Sequence, residues 1–257
     1  MNLFVSERAP DTASSTGERD DLHPLVLIHG WSCDHTAMRP VAEAFPQRHA
    51  ICLDLPGHGR SPAADTYTIE ANAAAVLAAM SGKAILVGHS MGAQIAVEAA
   101  IQSPERVAGL VLLDPAPIVP HDSARQYVED MRRHIQRLDP DQLADMLALF
   151  GRRQIIRATD PAAVESLVEA MTRTPAAVVR ACWDAVCDWR GEATFPRVEC
   201  PTLAIVIDKA LNRPANLAKA LPKVMTGQVA GAGHMLQFEV MDQVAAMMQR
   251  FFTLNRL

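Results

Sequence analysis

Between Leu25 and Phe252 the chain alternates short apolar runs with longer, more amphipathic ones. The short runs are Leu25–His29, Ala50–Leu53, Ala84–Val87, Val107–Leu113, Thr202–Ile207 and Val224–Val229, with a further candidate at Leu3–Ser6 ahead of them. They have little polar alternation, which predicts strands buried on both faces. The longer runs predict helices at Thr36–Phe45, Ile69–Met80, Met91–Ser103, Pro214–Leu221 and Gln237–Phe252. Strands separated by helices imply an α/β fold with a mostly parallel central sheet flanked by helices. Residues 9–24 are polar and predict a loop.

The alternation stops between about Pro117 and Pro196, where the pattern is helical throughout. The predicted segments are Ser123–Arg137, Asp141–Phe150, Pro161–Met171 and Pro175–Cys187. Asp139-Pro140, Asp160-Pro161 and Thr174-Pro175 each offer a capping residue followed by proline at the first helical position. This stretch is expected to be a helical cap (117–196) inserted into a core made of 1–116 and 197–257. There is no internal repeat.

Composition narrows the class. The 257 residues are 49% apolar, enough for a sizeable core, and the net charge is −5. An acidic balance carries no nucleic-acid footprint. No apolar run reaches the roughly 18–20 residues of a membrane span. The N-terminus lacks a basic start and an apolar stretch, so a cytoplasmic protein is expected. Five scattered cysteines without a C-x-x-C pair predict reduced, mostly buried thiols and no metal site.

The chemistry concentrates in Gly88-His89-Ser90-Met91-Gly92. A strand-like run precedes it and a helix-like run follows, which is the setting of a nucleophile elbow. Ser90 is the candidate nucleophile. A serine nucleophile needs a base, an acid to orient the base, and an oxyanion hole. His29-Gly30-Trp31-Ser32 ends the first long strand, and a sharp turn there aims the Trp31 amide at the reaction centre; the Met91 amide is the second donor. Gly231-Ala232-Gly233-His234 follows the last strand, and its small residues let the loop present His234 as the base. His58, in Pro56-Gly57-His58-Gly59, reads as part of a turn. His89 abuts the nucleophile and is expected to point away from the substrate.

The order His-Gly-Trp, Asp54-Leu55-Pro56-Gly57-His58-Gly59-Arg60-Ser61, Gly-His-Ser-Met-Gly and Gly-Ala-Gly-His resembles the α/β-hydrolase superfamily. The resemblance spans residues 25–253. It implies the fold, a cap after the family's sixth core strand and the triad order Ser, acid, His. Most members carry the acid in a Gly-x-x-Asp turn after the next-to-last strand. Here Ile207 stands for that Gly and Ala210 occupies the acid position, with Asp208 two residues early. Haloalkane dehalogenases and some lactonases resemble one another in placing the acid after the sixth strand, about two dozen residues past the nucleophile. Asp114 lies 24 residues past Ser90, at the end of Leu110-Val111-Leu112-Leu113. Asp114 is therefore the preferred acid and Asp208 the alternative.

The expected activity is hydrolysis of a carboxylic ester or lactone of a small, largely apolar molecule, with no cofactor. The cap residues expected to face the pocket are Met131, Met146, Phe150, Met171 and Trp183. The cap arginines (Arg125, Arg132, Arg133, Arg137, Arg152, Arg153, Arg157) read as a solvated face. The partner expected is a small-molecule substrate, and a homodimer is left open. Two other functions stay open. Quinolone-type dioxygenases, which need no cofactor, resemble this chain in His-Gly-Trp followed by Asp-His, here Asp34-His35, but carry a further His where this chain has Cys33. A non-catalytic ligand-binding homologue is the other, suggested by the missing acid at position 210.

Overall fold

The computed structural model describes residues 2–11, 22–155 and 161–257. Part of the predicted 9–24 loop, Arg157 and the Asp160 cap lie outside them. Seven strands form one sheet: β1 (Val5–Arg8), β2 (Leu25–Ile28), β3 (Ala50–Leu53), β4 (Ala84–His89), β5 (Val107–Leu113), β6 (Thr202–Val206) and β7 (Met225–Gln228). Their spatial order is β1-β3-β2-β4-β5-β6-β7. Only β1 runs antiparallel, pairing with β3. The other neighbours are parallel. The strand that the resemblance counts as sixth is thus the fifth described here.

Eleven helices are described: α1 (Arg39–Ala44), α2 (Ile69–Ala79), α3 (Met91–Gln102), α4 (Asp122–Arg137), α5 (Pro140–Gln154), α6 (Pro161–Arg173), α7 (Ala176–Asp188), α8 (Gly191–Thr194), α9 (Pro214–Ala220), α10 (Leu236–Glu239) and α11 (Met241–Asn255). Every residue of β2 through β6 is buried. Alternate side chains leave opposite faces of a strand, which produces two cores. Val26, Ile28 and Leu86 pack on one face with residues of α2, α3 and α4–α7. Leu25, Leu27 and Val87 pack on the other with Val41 of α1 and Phe251 and Phe252 of α11.

The chain leaves β2 for β3 on one side and returns to β4 on the other. This is the switch point at which an open parallel sheet holds its ligand, beyond the carboxyl ends of the strands. Gly30-Trp31 and Ser90 follow β2 and β4 there.

Element boundaries shift where local chemistry overrides periodicity. The helix predicted at Thr36–Phe45 opens instead as a 3₁₀ turn over His35–Met38, capped by the Asp34 side chain, and α1 begins at Arg39 beside Pro40. The predicted Gln237–Phe252 helix is broken at Val240, whose backbone leaves the helical region. The first strand sits two residues later than predicted, in register with β3.

Helices α4–α7 lie between β5 and β6 in the chain. Asp139 and Gln142 form a complete capping box at the start of α5. Thr174 is not the cap that its sequence position suggests. Pro175 takes that place without a side-chain bond, and the Thr174 hydroxyl donates instead to the Ser32 carbonyl, 3.1 Å away. Among the described residues no helix is long and apolar enough to cross a membrane.

Candidate active site

Ser90 sits between β4 and α3 with φ +52° and ψ −118°. Such a backbone costs on the order of 1–3 kcal/mol and persists only where its surroundings hold it. The Ser90 amide donates to the Leu113 carbonyl at 3.0 Å, and the Ser90 carbonyl accepts from Ala93 at 3.0 Å and Ala116 at 3.1 Å. The flanking glycines are steric necessities. A Cβ on Gly88 would lie 2.2 Å from the Gly92 carbonyl oxygen, and one on Gly92 would lie 2.3 Å from that of Ile28.

The His234 loop is bound on three sides. The Gly233 amide donates to Glu239 at 2.7 Å, His89 Nε2 donates to the His234 carbonyl at 2.9 Å, and the Met235 amide donates to Gln154 of α5 at 3.3 Å. His234 Nδ1 meets Asp114 Oδ2 at 2.6 Å. Facing a carboxylate, Nδ1 holds the proton and Nε2 is left to accept one. Asp114 is 4% exposed. Its backbone, at φ +35°, is an uncommon conformation that Asp tolerates better than most residues. Its amide donates to Ile205 at 2.7 Å, and Oδ1 lies 3.4 Å from the Ile207 amide. Asp208 is exposed in the turn after β6, and Ala210 is buried.

Trp31 connects the site to the helices above it. Its indole Nε1 donates to the Val179 carbonyl of α7 at 2.8 Å. Its ring meets Trp183 edge-on at 4.6 Å and Phe150 at 5.7 Å between centroids. The backbone amides of Trp31 and Met91 have no protein acceptor among the described residues. Both are therefore free to receive an oxyanion.

Ser90, Asp114 and His234 line one cavity of about 280 Å³. Phe150, Met171 and Trp183 line it from α5, α6 and α7, together with Val128, Leu167 and Val186. Met131 and Met146 do not line it; they pack into the hydrophobic core instead. Only part of each helix overlies Ser90, and Val128 and Phe150, three and four residues away, hold those places. His89 does reach the cavity wall, against expectation, because its ring turns toward His234, 4.7 Å away between centroids. Lys209, Leu211 and Cys33 are also among the lining residues, and none carries a sequence signal that separates it from an ordinary loop or core residue.

Sequence reasoning also missed Asn212. It is fully buried, and its Oδ1 accepts from the amides of Ile118 and Val119 at 2.7 and 2.9 Å. Its Nδ2 donates to the carbonyls of Pro115 and Ala116 at 2.7 and 3.0 Å. One side chain thus holds the segment that follows Asp114. The loop that carries the acid in most α/β hydrolases supplies here a clamp for the strand end that carries Asp114.

Three other histidines are buried near the site. Burial and neighbouring His29 push His58 down to about 3. Burial also lowers His29 and His89. His29 accepts from the Leu55 amide through Nε2 and donates through Nδ1 to Gly30, tying together the loops after β2 and β3. Among the described residues only Asp34, His35 and Asp54 bring three ligand-type atoms within 4.8 Å of one another. Asp34 caps the 3₁₀ turn and His35 donates to Asp54, so this cluster is committed to loop structure. The cysteines form no disulfide among the described residues, and burial pushes the Cys33 thiol up to about 12.

A mostly parallel sheet, a strained serine elbow at its switch point and a histidine–carboxylate pair after later strands define an α/β-hydrolase architecture. The chain belongs to the alpha/beta hydrolase family, whose sequence model matches residues 25–247. It is 30% identical over 171 residues to a pimeloyl-[acyl-carrier protein] methyl ester esterase of Edwardsiella ictaluri, covering 64% of this chain and 65% of that one. The chain aligns with less than two thirds of the length of that protein and of two other curated relatives. An esterase from Exiguobacterium antarcticum superposes with a TM-score of 0.81 at 15% identity, covering 98% of this chain and 95% of that one. An enol-lactonase from Burkholderia xenovorans LB400 superposes at 0.75 and 21% identity, covering 98% and 97%.

Proposed function

We propose that the protein is a serine hydrolase that cleaves a carboxylic ester or lactone of a small, largely apolar molecule through an acyl-enzyme. The observation that carries the reading is the 2.6 Å contact of His234 Nδ1 with Asp114, in a cavity shared with Ser90. Ser90 Oγ bonds to the substrate carbonyl carbon while its proton passes to His234 Nε2. The Trp31 and Met91 amides hold the oxyanion. Collapse breaks the carbon–oxygen bond, and His234 returns the proton to the leaving alkoxide. Water then attacks the acyl group, giving its proton to His234, and the acid leaves as Ser90 regains its hydrogen. Asp114 stabilises the imidazolium in both halves. The α4–α7 helices act as a cap that excludes bulk water and lines the substrate space.

The ester reading agrees with the activity named for the Edwardsiella relative and the lactone reading with that named for the Burkholderia neighbour. A dioxygenase or a binding scaffold needs neither a strained serine nor two free amides beside it, and Asp34 and His35 are engaged in loop structure.

The test is hydrolysis of p-nitrophenyl esters and small lactones by the wild type and Ser90→Ala. The reading requires turnover that the substitution removes. Oxygen uptake with a hydroxyquinolone that survives Ser90→Ala would replace it with the dioxygenase reading.

A further inference from the structure

Two side chains mark where the catalytic cavity meets solvent. Tyr127 of α4 and Lys209 of the loop between β6 and α9 are its exposed lining residues, and the others are buried or partly buried. The mouth thus has one side from the cap and one from the core. Lys209 is the one lysine or arginine on the cavity wall among the described residues. The described cap arginines do not line it. Arg132 pairs instead with Asp184 and Asp188, and Arg152 with Glu165.

The protein itself does not neutralise this cation. Neither Lys209 nor its neighbour Asp208 forms an ion pair among the described residues. The carboxylate in the wall, Asp114, is 4% exposed and already engaged, through Oδ2 with His234 and through Oδ1 toward the Ile207 amide. The side chains of Tyr127 and Gln154 also line the cavity, and neither bonds to a protein group among the described residues. Much of the remaining wall is apolar, with Val128, Phe150, Leu167, Met171, Trp183 and Leu211. A lysine stem can lie along such a surface while its ammonium stays wet. Lys209 also stands one residue before Ala210, the position that carries the acid in most α/β hydrolases. Relieved of that acid, the loop presents a cation to the cavity.

We propose that Lys209 is a specificity residue that selects substrates bearing a carboxylate at the end remote from the scissile carbonyl. The substrate class is then a half-ester of a dicarboxylic acid, or a lactone with a carboxylate side arm. Its ester carbonyl lies at Ser90, its apolar body along the wall, and its carboxylate at the mouth, accepting from the Lys209 ammonium. One ammonium matches a monoanion, whereas a phosphate group near neutral pH carries close to two charges. The inference rests on the serine-hydrolase reading, and its test is arranged so that the two fail differently.

The ratio of kcat/KM for the monomethyl ester to that for the dimethyl ester is measured for succinate, glutarate, adipate and suberate. The two esters of each acid differ chiefly in charge. The enzymes are the wild type, Lys209→Met and Lys209→Glu, and an exposed position makes misfolding a small risk. A hydrogen bond to a charged group is commonly worth about tenfold or more. At the best chain length the ratio is expected to fall by about that factor in Lys209→Met and further in Lys209→Glu. Added salt should lower the ratio in the wild type and not in Lys209→Met. A ratio that keeps its wild-type value in Lys209→Met at every chain length overturns the proposal. Binding of the same monomethyl esters to Ser90→Ala, followed by NMR titration, needs no turnover. Lys209→Met added to that variant is expected to weaken it about tenfold, and absent or unaltered binding overturns the assignment. If the wild type hydrolyses no ester, the hydrolase reading fails while the titration still decides the role of Lys209.

Discussion

Asp114 illustrates how a single side chain is placed by backbone. Its amide is fixed to β6, its φ is positive, and four of the next five residues are held by Asn212. Replacing it with Asn keeps the shape but loses the charge that stabilises the imidazolium. Asp114→Asn is expected to lower kcat by about 10²–10⁴, and Asp208→Asn to leave it at the wild-type value. Steady-state kinetics on both variants decide between the two acids, and a loss confined to Asp208→Asn would reverse the assignment. Asn212→Ala removes four hydrogen bonds and strands buried carbonyls and amides. Its expected cost is about 2–4 kcal/mol in urea unfolding, with a fall in kcat larger than any change in KM. Ser90 and His234 are legible in the sequence because local motifs present them. Asp114 is legible only through the resemblance and its spacing from Ser90. Asn212 is not legible, since its partners are backbone groups 93 to 97 residues away.

At the scale of elements, the β4–α3 elbow and the α7 contact with Trp31 set the site. The alternation of apolar runs and amphipathic stretches is enough to find the strands, because buried parallel strands are apolar on both faces. It is less reliable for helix ends. Asp34, Val240 and Thr174 change those ends through hydrogen bonds and backbone angles that periodicity does not carry. Met131 and Met146 share the same cause, since an apolar stripe says that a helix packs and not which turn overlies the nucleophile. Trp31→Phe keeps the aromatic packing but removes the indole bond to Val179. The change is expected to destabilise the protein by about 1 kcal/mol and to speed amide hydrogen exchange in α7 relative to α3. Equal exchange in both helices would show that this bond does not hold α7 in place.

For the whole molecule, the sheet's switch point gathers residues from the ends of β2, β4, β5 and β7 into one cavity. It also buries three neutral histidines beside that cavity. In the unfolded chain each titrates near the ordinary value of about 6.5, whereas in the folded protein burial lowers all three, His58 to about 3. The unfolded state therefore binds more protons below about pH 6.5. Stability is full above that pH and declines as the pH falls toward the folded values, for His58 by roughly 1 kcal/mol per pH unit. Thermal melts between about pH 8 and about pH 5 should show Tm falling on the acid side. The fall should be shallower in His58→Gln, and a flat profile would contradict the account. The central claim is that Ser90 is a nucleophile activated by the His234–Asp114 pair. Its most direct test is intact-mass and peptide analysis after exposure to a fluorophosphonate. The account requires one adduct, on Ser90, absent from Ser90→Ala and formed more slowly in Asp114→Asn. No adduct, or an adduct on another residue, would contradict it.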